Sequence, residues 1–282
     1  MPLPVDLSLV VCTRNRGKFL PATLRAYLAI EGSANWELVV VDNGSTDDTA
    51  DQLRAFQQEF TRPLTIVGET TPGLGRARNR GWQVSRAPIV AFSDDDCYLA
   101  DDYFSALLSC FTERQSIAFV GGRILLHDQR DHPITIQTRE TPRELRPGDA
   151  VPAGLIQGAN FAFRRSTLEA IHGFDERLGV GTPFPAEDID AIARATAAGF
   201  TGVYDPRPVV YHHHRRRTFA EVEALAKTYD YGRGAYYAKC LMNPALRRIY
   251  GRAWLRAIRG QSLWVTGREV SAALRYLAGH ST

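Results

Sequence analysis

Paired cysteines are missing from this chain. The four present, Cys12, Cys97, Cys110 and Cys240, lie far apart and form no CxxC pair, so neither a disulfide framework nor a thiolate zinc site is indicated. Three of them sit in apolar or strand-like surroundings, where a reduced thiol behaves as a small hydrophobe, which agrees with a reducing, cytoplasmic compartment. No run of roughly 18 apolar residues exists, and the sequence predicts no membrane-spanning helix. The opening stretch MPLPVDLSLVVCTRNRGKF has no charged n-region and no cleavage site, so no secretory signal is expected there. Repeats and low-complexity tracts are lacking as well.

What remains has the composition of a folded protein. Of 282 residues, 44% are hydrophobic and 23% charged, enough to bury a substantial core without cross-links. The net charge of +3 conceals an asymmetry. From Asp205 onward 14 Lys and Arg stand against 5 Asp and Glu, a local +9, so the rest of the chain carries −6. The basic C-terminal part either meets an anionic partner or is a solvated basic face.

Apolar runs at residues 7–12, 37–41, 64–67 and 89–92 read as buried strands. Residues 18–30, 45–60 and 75–85 between them have helical spacing, with Ser45 or Thr46 the expected N-cap of the second helix. This alternation predicts an α/β fold with parallel crossovers. After Asp101 the rhythm loosens. Helices are expected at 103–112, 166–171 and 186–198, and strands near 117–120, 123–126 and 160–164. Residues 128–149 read as an irregular excursion, and residues 219–282 as a helical, basic extension to a body of residues 1–218.

Three polar clusters end apolar runs: Thr13-Arg14-Asn15, Asp42-Asn43-Gly44-Ser45 and Asp94-Asp95-Asp96. In an open parallel sheet such ends converge on one edge, where ligands bind. Three adjacent carboxylates repel one another unless something offsets the charge. A divalent cation does so, and hard oxygen ligands suit Mg²⁺ or Mn²⁺ shared with substrate phosphates. Asp42 is placed to accept hydrogen bonds from a base or a ribose, or to close an Asx turn. Arg14 is a candidate phosphate or base contact. Residues 73–81 form a glycine turn opening a basic helix that includes Arg76. Such a helix N-terminus favours anions, though the pattern is neither a Walker motif nor a dinucleotide fingerprint.

The ordered set CTRNR, VVDNGSTDDT, GLGRARNRG, AFSDDD, QGANFAFRRSTLEAIHGFDERLG and AEDIDAIAR resembles the family 2 glycosyltransferases of GT-A fold, over roughly residues 6 to 214. The resemblance implies a mostly parallel, mixed sheet flanked by helices. It also implies a nucleotide-diphosphate sugar donor (UDP-sugar favoured, GDP or dTDP alternatives), a divalent metal and inversion at the anomeric carbon. It makes Asp42 the base- or ribose-binding aspartate, and Asp94 and Asp96 the ends of the DxD metal motif, with Asp95 between them. Asn160 and Gly158 would line the donor-sugar or acceptor side. Glu187-Asp188 matches the motif whose aspartate is the general base, and an acceptor hydroxyl needs such a carboxylate to take its proton. The bland reading of the pair is acidic residues stabilised in a helix's first turn. After that helix, His212, or His214 by strand alternation, would complete the metal shell.

The acceptor class (glycan, lipid-linked or small molecule) has no readable signature. Nucleic acid is not expected, since the basic charge is confined to the C-terminal part. There Leu246, Ile249, Tyr250, Ala253, Trp254, Ala257 and Ile258 share one helical stripe opposite Arg247, Arg248, Arg252, Arg256 and Arg259. This helix either touches an anionic membrane at the inner face of the cell membrane or packs its stripe on the body. The competing functions are a nucleotide-sugar-binding module without turnover, which the intact Glu187-Asp188 pair disfavours, and a sugar-1-phosphate nucleotidyltransferase. The latter would carry a glycine- and arginine-rich loop after the first strand, where this chain has CTRNRGKF.

Overall fold

The computed structural model describes residues 5–30 and 34–279. The start of the segment read as lacking a leader, and the outer ends of the two expected regions, lie outside the described residues.

The valine- and leucine-rich runs form strands β1 (Leu7–Thr13), β2 (Trp36–Asp42) and β4 (Ile89–Asp94), buried on both faces, and the half-buried edge strand β3 (Leu64–Gly68). Helices α1 (Leu20–Leu28), α2 (Thr49–Glu59) and α3 (Leu74–Val84) connect them, and β5 (Cys97–Leu99) and α4 (Tyr103–Glu113) follow. Next come β6 (Ile117–Leu126), β7 (Arg143–Leu145), β8 (Asn160–Arg164), α5 (Arg165–Ala170), α6 (Glu187–Ala197) and β9 (Thr201–His212). Three helices close the described chain: α7 (Phe219–Met242), α8 (Arg247–Gly260) and α9 (Leu263–Ala278). The sheet has nine strands in the order β3-β2-β1-β4-β8-β6-β9-β5, with β7 paired to β9. β1 to β4 are mutually parallel, β8 runs against both β4 and β6, and β9 is parallel to β6. This is the mixed, mostly parallel sheet that the sequence predicts.

Side-chain alternation along each strand divides the core. Leu7, Leu9 and Val11 pack with Leu24, Phe56 and Leu107 of α1, α2 and α4, whereas Val10, Val39 and Val41 pack with Ala77 and Ile192 of α3 and α6. Tyr236 and Tyr250 of α7 and α8 belong to the second layer, so the C-terminal helices are part of the core. Lys239 of α7 fastens them further through ion pairs to Asp175 at 2.7 Å and Asp190 at 2.9 Å. The stripe of α8 packs inward, with Tyr250 buried and Trp254 stacked on Tyr237.

Local departures have local causes. The second helix starts at Thr49, and neither Ser45 nor Thr46 caps it. The Ser45 hydroxyl accepts from the Asn15 N–H and the Thr46 N–H donates to the Asn15 side chain, so both residues tie the β1 loop to the β2 loop. The two short strands expected near 117–126 are one irregular strand, β6. The excursion at 128–149 contains β7 on the sheet edge and an isolated bridge from Gln137 to Ile124. Among the described residues no helix is long and apolar enough to cross a membrane.

Candidate active site

The pairing register brings the three polar clusters together. Thr13 lies opposite Asp42 across β1 and β2, and Cys12 lies opposite Asp94 across β1 and β4. Past the strand ends the chain turns tightly. Asp42 accepts the Ser45 N–H at 3.0 Å in an Asx turn, leaving its other carboxylate oxygen available, and Gly44 takes a left-handed φ of 69°. Arg14 is exposed, whereas Asn15 is occupied with Ser45 and Thr46.

Asp95 and Asp96 are buried and Asp94 is half-buried, and their charges are unequal. Asp96 accepts from Arg16 at 2.6 Å and faces His212 Nε2 at 3.2 Å. Burial opposes its charge, but His212 and Arg16 outweigh burial and hold its carboxyl down at about 2. Asp95 also receives Arg16, at 3.0 Å, yet burial pushes it up to about 6, with the charge of Asp96 adding to the effect. Burial raises Asp94 too, against the opposing charge of Arg78.

Ligand atoms of Asp94, Asp96, Cys97 and His212 lie within 4.8 Å of one another. Two carboxylates and an imidazole form a donor set that fits Mn²⁺ or Mg²⁺. The Cys97 thiol is fully buried, and burial raises it well above its usual value. Antiparallel pairing of β5 with β9 sets Cys97 opposite His212, which delivers the imidazole to Asp96. The Thr135 hydroxyl and carbonyl, each 3.2 Å from His212 Nδ1, hold the ring. His214 has both nitrogens engaged, Nε2 with the His132 carbonyl and Nδ1 with the Arg216 N–H, and does not join the cluster. A second grouping of Asp128, Asp131 and His213 is offset by Arg130 and Arg217.

Glu187 and Asp188 open α6 and diverge. Glu187 is buried against Arg78, at 2.5 Å. Burial raises its carboxyl and the charge of Asp188 adds to this, while Arg78 opposes it. Asp188 is half-buried, and its Oδ2 accepts the Gly158 N–H at 2.8 Å. Arg78 also reaches Asp94 at 3.4 Å and the Gly158 carbonyl at 3.1 Å. One buried guanidinium therefore links Glu187 of α6, Asp94 of β4 and Gly158.

Two predicted residues make contacts other than those expected of them. Arg76 points away from the carboxylates and pairs with Glu176 at 2.6 Å. The arginine that reaches Asp94 is Arg78, which shares with Ala77 and Gly81 the α3 face packed on the sheet. The glycines of that segment serve close packing, since a Cβ on Gly81 would lie 2.3 Å from Val10 and one on Gly75 2.6 Å from the Asp175 carbonyl. Asn160 makes three bonds away from the cluster: its amide nitrogen donates to the Arg123 and Pro208 carbonyls and its oxygen accepts from Tyr103, joining β8 to its surroundings. Two site groups had no sequence signal of their own. Arg16 caps the aspartates, and Tyr229 of α7 has its hydroxyl raised by burial and by the nearby charges of Asp188, Asp94 and Glu187.

An acidic cluster at the carboxyl edge of a mixed nine-stranded sheet, with a second carboxylate pair opposite, defines a GT-A-type fold. The Glycosyl transferase family 2 model matches residues 8–171, and the chain belongs to that family. The glycosyltransferase AglE of Haloferax volcanii is 26% identical over 260 residues, covering 86% of this chain and 79% of that protein. The mannosyltransferase PcManGT of Pyrobaculum calidifontis, solved with GDP-Man and Mn²⁺, superimposes with a TM-score of 0.69 at 20% identity over 99% of this chain and 80% of that one. TarS 1–349 of S. aureus, solved with UDP-GlcNAc, gives a TM-score of 0.65 at 17% identity over 87% of this chain and 69% of that one. The chain spans anywhere from 28% to 79% of the length of the first two curated relatives it matches.

Proposed function

We propose that the chain is an inverting glycosyltransferase of glycan, cell-surface polysaccharide or glycoconjugate synthesis. It passes a sugar from a nucleoside diphosphate donor to an acceptor hydroxyl in one displacement. The observation that carries this reading is the bridge built by Arg78. It couples the metal-type carboxylate Asp94 to Glu187, next to Asp188, so the leaving-group side and the base side of one reaction share a single buried anchor.

Asp42 has an open carboxylate oxygen for ribose or base, and exposed Arg14 faces no competing acid among the described residues. Asp94, Asp96 and His212 would hold Mn²⁺ or Mg²⁺, which when bound neutralises the charge that develops on the departing diphosphate. Arg16 lies on the same aspartates and is placed to turn towards phosphate oxygens. Asp188 is the base. Its Oδ2 is oriented by the Gly158 N–H, and its partial exposure leaves it within reach of an acceptor hydroxyl. Glu187 is spent on Arg78 and positions it. In this reading residues 1–218 form the catalytic body and residues 219–282 complete its acceptor side. A UDP-sugar is the favoured donor. TarS was solved with UDP-GlcNAc and PcManGT with GDP-Man, so GDP-sugars remain the chief alternative.

The test screens UDP, GDP, dTDP and CDP by thermal unfolding, with and without Mn²⁺. One nucleotide should stabilise the protein only with metal, by about 2.7 kcal/mol at a hundredfold excess over its dissociation constant. Asp96→Ala should abolish that shift. Asp188→Asn should keep it while transfer falls by about 10²- to 10⁴-fold. Absence of any nucleotide shift sinks the donor site, and full transfer by Asp188→Asn sinks the base.

A further inference from the structure

We propose that the outer face of the α8–α9 pair is a docking surface for an anionic lipid bilayer. Helix α9 has two apolar sides, set apart around its axis. One side, with Ala272, Ala273 and Tyr276, is buried in the cluster that also holds Ala235 and Ala238 of α7. There the backbones meet so closely that a Cβ on Gly234 would lie 2.1 Å from the Glu269 carbonyl. The other side is a stripe of Leu263, Val270, Leu274 and Leu277, spaced seven, four and three residues apart, and it faces out. Leu263 is 89% exposed, its neighbour Trp264 81% and Leu274 63%. An exposed apolar stripe of this kind marks an interaction surface.

The charge beside the stripe says what covers it. On α8, Leu255 is 58% exposed and sits between Arg252 and Arg259, three residues before it and four after, on one helical face. Arg247, Arg248, Arg252, Arg256 and Arg259 are exposed and make no ion pair among the described residues. From Arg247 onward the sequence holds one acid, Glu269. That acid is fully buried and engaged by Arg233, Trp254 and Gln261. Helix α8 ends at Gly260 and α9 begins at Leu263 after the Ser262 cap, so Leu263 and Trp264 follow Arg259 by four and five residues. The result is an apolar edge with an amphipathic indole beside a purely cationic face, which is the make-up of an element lying in the headgroup region of anionic lipids. A two-fold contact with a second copy would instead set unpaired arginines against their own symmetry mates. Of the two alternatives for the α8 stripe, packing on the body is the one observed, and it is α9 that presents an exposed apolar face.

The full chain is sedimented with vesicles of phosphatidylcholine alone and with vesicles containing one third phosphatidylglycerol. It should bind the mixed vesicles only, and high salt should release it. Arg252→Gln, Arg256→Gln and Arg259→Gln together should weaken binding by on the order of a hundredfold, at about fivefold per arginine near the surface. Leu263→Ser with Trp264→Ser should weaken it by roughly tenfold or more and abolish the blue shift of tryptophan emission. All five positions are exposed, and an unchanged melting midpoint verifies folding. Equal binding to both vesicle types, or binding to neither, overturns the proposal. So does a concentration-dependent dimer that Leu274→Ser dissolves, which would make the face a self-interface.

Discussion

Replacing Arg78 by Met tests the buried bridge most directly. The side chain is 2% exposed, lies 2.5 Å from Glu187 and 3.4 Å from Asp94, and its guanidinium sits 5.0 Å from the centre of the Phe161 ring. Methionine fills much of the volume but leaves Glu187 buried without a counter-charge. Breaking such a pair from one side costs about 3–5 kcal/mol. With a urea m-value of about 3 kcal/mol/M for a chain of this size, the midpoint should fall by about 1–1.7 M. The loss also depends on pH. Burial already raises the Glu187 carboxyl above its ordinary value, and removing Arg78 raises it further. The folded variant then holds a proton that the unfolded chain releases. Its stability is therefore retained below the unfolded carboxylate value near 4.5 and is lost, relative to the parent, by up to about 1.4 kcal/mol per pH unit as pH rises towards the raised folded value. The double variant Arg78→Met with Glu187→Gln removes both charges and should recover more than about 1 kcal/mol of the single loss at pH 8. Urea titrations at pH 5 and pH 8 measure both effects. A loss under about 1 kcal/mol that does not change with pH, or a double variant as unstable as the sum of its parts, would refute the reasoning.

Two further outcomes rest on the same geometry. Gly158→Ala brings a Cβ to 2.5 Å from Arg78 Nη2, so it should destabilise the fold by about 1–3 kcal/mol and lower transfer, as read by urea unfolding and initial rates. If Gly158→Ala equals the parent in both, the close approach does not constrain Arg78. His212 is raised above the usual imidazole value, because its bond to Asp96 outweighs the effect of burial. Protonated His212 thus contributes stability below the ordinary imidazole range, and that contribution is lost as pH rises through the raised value. Because a metal needs the neutral ring, Mn²⁺ affinity should strengthen about tenfold per pH unit up to that value and then level off. Calorimetric titration of the parent and of His212→Gln measures it, and identical pH profiles would remove His212 from the metal shell.

The elements of the α/β body were legible from the chain alone because burial on both faces of a parallel sheet demands long apolar runs. Those runs end at Thr13, Asp42 and Asp94, where the polarity changes. Convergence of the three ends follows from parallel pairing, so the acidic cluster could be placed without coordinates. Asp188 was legible for a similar reason, since a carboxylate in the first turn of a helix is a local feature. The remaining assignments depended on contacts between residues far apart in sequence. Arg78 and Arg76 differ by two positions in a run of arginines, and only the packing of α3 on β1 and β2 decides which one turns to the carboxylates. His212 and His214 alternate identically along a strand. The His132 carbonyl and the Arg216 N–H engage both nitrogens of His214, whereas Thr135 holds one nitrogen of His212 and leaves the other facing Asp96. Asn160 carried a motif resemblance, yet three hydrogen bonds within the sheet consume its amide. Periodicity in the sequence determines which face of an element is apolar. Tertiary packing decides which polar groups on that face are spent inside the fold and which stay free for chemistry, because that depends on partners a hundred residues away that no local pattern encodes.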